Sequence, residues 1–436
     1  MRSVFKRIMG RGKRRRYVAL ALALLAAAVA AAGSYLAFLK PADDVFDPKV
    51  EFREPAPAPA PPPKRKKRAK DFVWPVYGYT AARTRYLPTR LSPPFRRIWT
   101  KGGSKLLEFQ PVMARRTLFY VRNDGVAVAL SAKSGRIRWT RQVGRLNASS
   151  PAWWRDRLFI ATLSGRIVAL DARTGRVRWA NDLGSRSESS PLVLGKRVYF
   201  GSEDGTVYAL RARDGRKVWT YRARGAVKAA LAYSNGLLYF GDYAGQVTAL
   251  RARDGKVAWT TATAGRAFRR AGRFYSTPAV AFGRVYLGNT DGRVYSFSAS
   301  SGQLAWSRST GGYVYAAPAV ADVPGTRPSV YIGSYDRRFY ALDARSGAIR
   351  WSYAAGGRIS GAATVVGRVV YFSNLDATST TGLDVRGGEV VFTLDRGAFN
   401  PVISDGRRIY LTGYSSLYAF EPKRHKERRS RRGKRR

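Results

Sequence analysis

The sequence has no cysteine, one histidine and 28 Asp/Glu against 79 Lys/Arg. Without cysteine there is no disulfide, thiolate nucleophile, lipid-modified cysteine, zinc ribbon or iron–sulfur cluster. The histidine, His425, sits in a basic C-terminal tail. A Ser-His-Asp triad and a multi-histidine metal site are therefore excluded from the folded part. The scarce acids are mostly placed for turns. Asp124, Asp204, Asp291, Asp214 and Asp254 each precede a glycine, where Asp bonds the turn backbone and Gly takes positive φ. No two carboxylates stand out as an acid/base pair. The reading is no catalytic residue, no metal ligand set and no cofactor.

What is abundant is positive charge. Eight Lys/Arg precede Tyr17, six lie in Lys64 to Lys70 and ten in Lys423 to Arg436. Phe95 to Phe420 alone holds 49 basic and 20 acidic residues. Such a field attracts anionic cell-wall polymers, phospholipid surfaces or, without sequence specificity, nucleic acid. The charge serves equally well as a solubility feature.

Tyr17 to Leu39 is an unbroken apolar run of 23 residues, long enough to span a bilayer as a helix. Basic residues before it and Asp43, Asp44 and Asp47 after it put the N-terminus in the cytoplasm. Small residues near Ala32 would suit a signal-peptide cleavage site, but the run outlasts a signal core and continues to Leu39. The expected organisation is a cytoplasmic basic segment (1–16), a signal-anchor helix (17–39), a proline-rich and basic linker (40–71), a repeat domain (72–421) and a disordered basic tail (422–436). That places a single-pass protein in the plasma membrane with its repeat domain on the extracytoplasmic side.

Tryptophans recur at Trp99, Trp139, Trp179, Trp219, Trp259, Trp306 and Trp351, with Phe392 in the next equivalent place, at intervals of 40, 40, 40, 40, 47, 45 and 41. Each interval holds four short strand-like stretches: in one unit, Pro191 to Leu194, Val198 to Gly201, Val207 to Leu210 and the stretch carrying Trp219, parted by turns at Gly195, Asp204-Gly205 and Asp214-Gly215. That is the pattern of a propeller blade. Seven full units are followed by three strands, Pro401 to Ser404, Ile409 to Gly413 and Leu417 to Phe420. The fourth strand, Arg96 to Thr100, stands before the first unit. The prediction is an all-β, eight-bladed β-propeller of four-stranded antiparallel blades, closed by a blade split between the two ends of the chain, which leaves no open edge.

The stretch Ala169-Leu170-Asp171-Ala172-Arg173-Thr174-Gly175-Arg176-Val177-Arg178-Trp179 resembles the tryptophan-docking motif A-x-D-x-x-T-G-x-x-x-W of quinoprotein-type propellers. Trp74-Pro75, Gly78 and Arg85-Tyr86 resemble that family's leading segment. The resemblance runs from Phe72 to Glu421 and implies the propeller fold, with the eight aromatics as docking residues. The family holds pyrroloquinoline-quinone (PQQ) dehydrogenases as well as noncatalytic envelope-assembly propellers of the BamB kind, so it leaves function open. The enzymes it implies use calcium, a catalytic aspartate and usually adjacent cysteines, which this chain lacks. The expected role is a monomeric binding or scaffolding module at the cell envelope, for envelope proteins or anionic wall and membrane polymers. A PQQ-dependent dehydrogenase or a BamB-like assembly factor is the alternative.

A ligand site is expected where loops between blades meet each blade's second turn. The longest unit carries its extra residues in Ala264 to Phe274, with Arg266, Phe268, Arg269, Arg270 and Arg273. Tyr243, Asn289 and Tyr335 lie in second turns on the same face. Arginine forks beside aromatics suit phosphate, carboxylate or a sugar polymer; a solvated basic loop is the plainer reading.

Overall fold

The computed structural model describes residues 20–25, 28, 44–55, 72–263 and 272–423. The chain divides into two units, Met1–Asp44 and Val45–Arg436. In the first, residues 20–25 are helical and their leucines are exposed. No helix among the described residues is long and apolar enough to cross a membrane; most of the 17–39 run lies outside the described residues.

The second unit is a ring of eight four-stranded antiparallel sheets. Blade 1 is Val112–Ala114, Thr117–Val121, Val126–Ser131 and Ile137–Gln142. The innermost strand of each blade faces the axis and the fourth lies at the rim. The middle strands are buried on both faces: Leu158 to Ala161 and Ile167 to Asp171 are buried without a break. A blade is sandwiched between two neighbours, so its middle strands have no solvent face.

The eighth blade closes the ring as expected. Val402–Ser404, Ile409–Thr412 and Leu417–Pro422 are completed by Phe95–Lys101, with Trp99 opposite Ala419. Bulges such as that at Ala169/Leu170 interrupt the outer strand pair of every blade. A bulge re-aims the side chain beside it, and each outer tryptophan turns to the next blade. Trp139 Nε1 donates to Ala172 O at 3.1 Å, and Trp99, Trp179, Trp219, Trp259, Trp306 and Trp351 repeat the bond at 3.0–3.2 Å. The eighth docking residue, Phe392, has no N–H to give and packs edge-on against Phe420 at 5.9 Å.

Two N-terminal segments add to this frame. The linker expected from residue 40 is ordered where it is described. β1 (Val45–Phe46) extends the rim strand of blade 5, opposite Ser307 and Trp306. The chain then runs along that blade: Val50 is buried, Phe52 packs at a tilt against Phe282, and Arg284 Nη2 donates to Val50 O at 2.7 Å. The Pro-rich stretch expected to be extended, and the basic run after it, lie outside the described residues, as does the tail beyond Lys423.

The second segment, Phe72 to Leu91, plugs the axis. Backbone N–H groups of the inner strands bond its carbonyls in turn: Trp153 to Pro75, Tyr233 to Ala81, Val280 to Ala82, Val320 to Thr84 and Val365 to Arg85, at 2.7–2.9 Å. Trp74 bridges Met113 of blade 1, and β2 (Tyr86–Leu87) runs parallel to Thr364–Val366 of blade 7. Donors that an inner strand would leave unpaired are thereby satisfied.

Candidate functional site

The inner strands begin at the end of the ring where the inter-blade loops lie. Just before each stands one residue of a belt: Gln110, Ser150, Ser190, Ala230, Thr277, Ala317, Ala362 and Asn400. The belt is stitched by hydrogen bonds such as Ser150 Oγ to Gln110 O, 2.7 Å, and Ala362 N to Asn400 Oδ1, 3.3 Å. Two residues upstream of the belt, Glu108, Glu188, Lys228, Tyr275, Tyr315 and Ser360 line the mouth of a funnel floored by Tyr77. Tyr77 is fixed there by its hydroxyl bond to Asn400 Oδ1 and by the edge of Phe109.

Lys228 Nζ lies 2.7 Å from Glu188 Oε1 and 3.2 Å from Glu203 Oε1, and the Tyr275 hydroxyl donates to Glu188 Oε2 at 2.9 Å. Burial alone would lower the Lys228 ammonium; the two carboxylates outweigh it and hold its pKa up. Burial, then the Glu188 and Glu108 charges, raise the Tyr275 phenol well above its ordinary value. Glu108 has no side-chain hydrogen bond or ion pair among the described residues. Burial, reinforced by Glu188, pushes its carboxyl up to about 7.

Around this floor tyrosines form an arc. Ring centroids are 6.4 Å apart for Tyr243–Tyr275, 5.8 Å for Tyr275–Tyr315 and 4.9 Å for Tyr315–Tyr335, and Tyr313 joins Tyr315 at 5.9 Å. Arg273 lies over Tyr243 and Arg358 over Tyr335, at 5.5 and 5.8 Å. Both guanidiniums and Tyr313 are exposed.

Of the expected ligand residues, Tyr243, Arg273 and Tyr335 thus come together on this arc. Asn289 does not join it: its side chain is buried, donating to Gly272 O and accepting from Asp291 N. Arg266, Phe268, Arg269 and Arg270 lie outside the described residues. Glu108, Glu188, Lys228, Tyr275 and Tyr315 were missed. The signal for them is one column of the repeat, two residues before the belt, which reads Glu108, Ala148, Glu188, Lys228, Tyr275, Tyr315, Ser360 and Ala398.

A quinone with its divalent ion does not fit this floor. The free space at the base of the funnel is about 60 Å³, well below the roughly 300 Å³ and more of cavities that hold an organic cofactor. The place between Glu188 and Glu203 that a cation would take is filled by the Lys228 ammonium. No group of three or more His, Asp or Glu among the described residues could hold a metal ion.

A ring of eight blades, locked by tryptophans that dock on the turn of the next blade and closed by its own two ends, defines a quinoprotein-type β-propeller. The fold is shared with BamB from Moraxella catarrhalis (18% identity over 75% of this chain and all of that one, TM-score 0.63). It is shared also with a europium-containing methanol dehydrogenase (14%, 81% and 98%, 0.67) and the quinohemoprotein alcohol dehydrogenase of Comamonas testosteroni (15%, 83% and 82%, 0.65). No curated protein matches the chain by sequence. The family described as outer membrane protein assembly factor BamB matches residues 122–323 and 317–431, and the chain belongs to that family.

Proposed function

We propose that this chain is a noncatalytic scaffold, held on the extracytoplasmic side of the plasma membrane by residues 17–39, that binds a protein partner at its funnel face. The observation that carries the reading is the arc of Tyr243, Tyr275, Tyr313, Tyr315 and Tyr335 flanked by Arg273 and Arg358. Tyrosine and arginine are the residues enriched at the centres of protein interfaces. Membership of a family described as an assembly factor supports it, and the apolar run with its charge asymmetry supports the anchor. The surplus of positive charge adds a weak, salt-dependent attraction to anionic surfaces.

A second reading, an enzyme, is favoured by Glu108 alone, whose pKa near 7 is what a general base needs. The two readings part in one experiment. A photo-crosslinking residue is placed at Tyr313 on the funnel face, or at Arg253 in a turn at the opposite end of a blade, in the full-length protein in cells. The scaffold reading expects one defined protein adduct from the Tyr313 position only, lost on combining it with Arg273→Ser and Arg358→Ser. Equal labelling from both positions, or an adduct indifferent to those substitutions, removes it. Protease added to cells stripped of any outer barrier should digest a C-terminal tag; full protection overturns the anchor's orientation.

A further inference from the structure

Val45 to Pro55 forms a strap, and its seat shows what fits between two blades. It enters along the rim strand of blade 5 and crosses between that blade's first turn and the third turn of blade 6. Arg284, at the start of the second strand of blade 5, grips its backbone: Nη2 donates to Val50 O at 2.7 Å and Nε to Glu51 O. Arg53 N donates to Phe282 O at 2.9 Å, and Arg345 pairs with Glu54 at 3.2 Å.

The repeat builds the same track between blades 2 and 3. Turn for turn, Arg155 stands in the place of Phe282, Arg157 in that of Arg284 and Arg213 in that of Arg345. Here the track is an open groove of about 740 Å³, lined by Trp154, Arg155, Arg157, Asp171, Lys196 and Arg213 among others. Arg157 spends Nη1 alone, on Ala212 O and Arg213 O at 2.9 and 2.6 Å. Its Nε and Nη2, the two atoms with which Arg284 holds the strap, have no partner among the described residues. Arg155, Lys196 and Arg213 are exposed and make no ion pair among the described residues, while Asp171 is already bound by Arg178. The groove therefore offers donors for a backbone and positive charge for side chains. Main-chain bonds hold an extended segment and side-chain contacts select it. The chain's own strap is seated elsewhere, and the chain is poor in acids, with 28 against 79 bases. Charge complementarity calls for a partner. We propose that the groove between blades 2 and 3 takes an extended acidic segment of a partner protein, laid as the strap is laid, with carbonyls on Arg157 and acids on Arg155, Lys196 and Arg213. The first and third turns lie at the end of the blades opposite the funnel, so this surface is separate from the tyrosine arc. Arg253, in the third turn of blade 4, does not line it.

The probe is a dye-labelled peptide of the strap sequence, Val45 to Pro55, carrying Lys49→Glu and Arg53→Glu. It is titrated into the full-length protein in nonionic detergent at physiological ionic strength, where the general field is screened. Fluorescence anisotropy should show saturable binding at one site, with a scrambled peptide of the same composition roughly tenfold weaker. Arg155→Ser combined with Arg213→Ser removes two exposed cations and should weaken binding about tenfold, as expected for two exposed ion pairs. Arg157→Lys keeps the charge, removes the free donors and should weaken it too; if that variant fails to fold, the double variant decides. Arg273→Ser with Arg358→Ser should change nothing, so the groove and the funnel stand or fall separately. Equal affinity for the scrambled peptide, or binding indifferent to the double variant, overturns the proposal. So does a groove that takes anionic vesicles in its place, bound by the wild type and lost in the double variant while the peptide does not bind. A wild-type dimer that the double variant dissolves gives the groove to a second copy and overturns it as well.

Discussion

The indole of Trp99 donates its N–H to Ala132 O at 3.2 Å, joining a strand that comes before all the blades to the first of them. Trp99 is at the same time paired with Ala419 near the C-terminus. One side chain therefore holds both the split blade and its junction with blade 1. Trp99→Ala is expected to cost about 3 kcal/mol, the usual range for emptying a large aromatic site. Deleting Phe95 to Lys101 should cause aggregation, because it bares a strand edge. Unfolding midpoints and light scattering check both.

The docking turn needs glycine for two separate reasons. Gly175 has φ +72°, and a Cβ there would lie 2.7 Å from Trp139 Cε3. Gly184 has φ +73° with nothing within 4 Å. Gly184→Ala should cost about 1 kcal/mol, the left-handed penalty alone. Gly175→Ala should cost about 2–3 kcal/mol more, because a packed indole cannot retreat. Chemical denaturation of the two variants isolates the clash.

Glu108 makes the fold pH-dependent in a direction opposite to that of most acids. Its carboxyl lies near 7 in the native state against 4.5 when free, so between those values the folded chain holds more protons than the unfolded one. Stability is then lost as pH rises from about 4.5 to 7, by roughly 2–3 kcal/mol. Glu108→Gln should flatten that slope and raise stability at neutral pH. A slope unchanged by the substitution would show that Glu108 does not titrate in this window.

The strap through Val50 and Glu51 is held by Arg284, which donates to both their carbonyls. Removing residues 45–55 should destabilise the ring by about 2–4 kcal/mol, much of it from the guanidinium left with only its long bond to Arg345 O. Arg284→Met in the shortened chain should recover part of that loss, although in the intact chain it is destabilising. A simple sum of the two effects would show that strap and arginine act independently.

The ring was legible because its contacts are periodic. Trp139 on Gly175 is the same contact as Trp219 on Gly255, 80 residues later, and repeated spacing survives the wear that turned one tryptophan into Phe392. The funnel was illegible for the opposite reason. Each blade gives its mouth one residue, and Glu108, Lys228 and Tyr315 are unlike one another although they occupy one column. Tyr243, Arg273 and Tyr335 could be placed on one face from loop order, but their arrangement depends on Tyr275 and Tyr315, which no turn motif marks. The strap hid behind composition: VFDPKVEF ahead of a proline run reads as linker, and its partner strand lies some 260 residues away.

The plug and the strand carrying Trp99 leave the ribosome before any blade, yet the pairing of Phe95–Lys101 with Leu417–Pro422 waits for the last turn of synthesis. The plug cannot seat until the inner strands it touches in blades 1, 2 and 4 to 7 exist. Closure is thus a late, non-local event of the kind that folds slowly. Until it happens the nascent chain is an open crescent with two sticky ends. Whatever escorts this protein during biogenesis must shield residue 95 while the chain is still three hundred residues short of its mate.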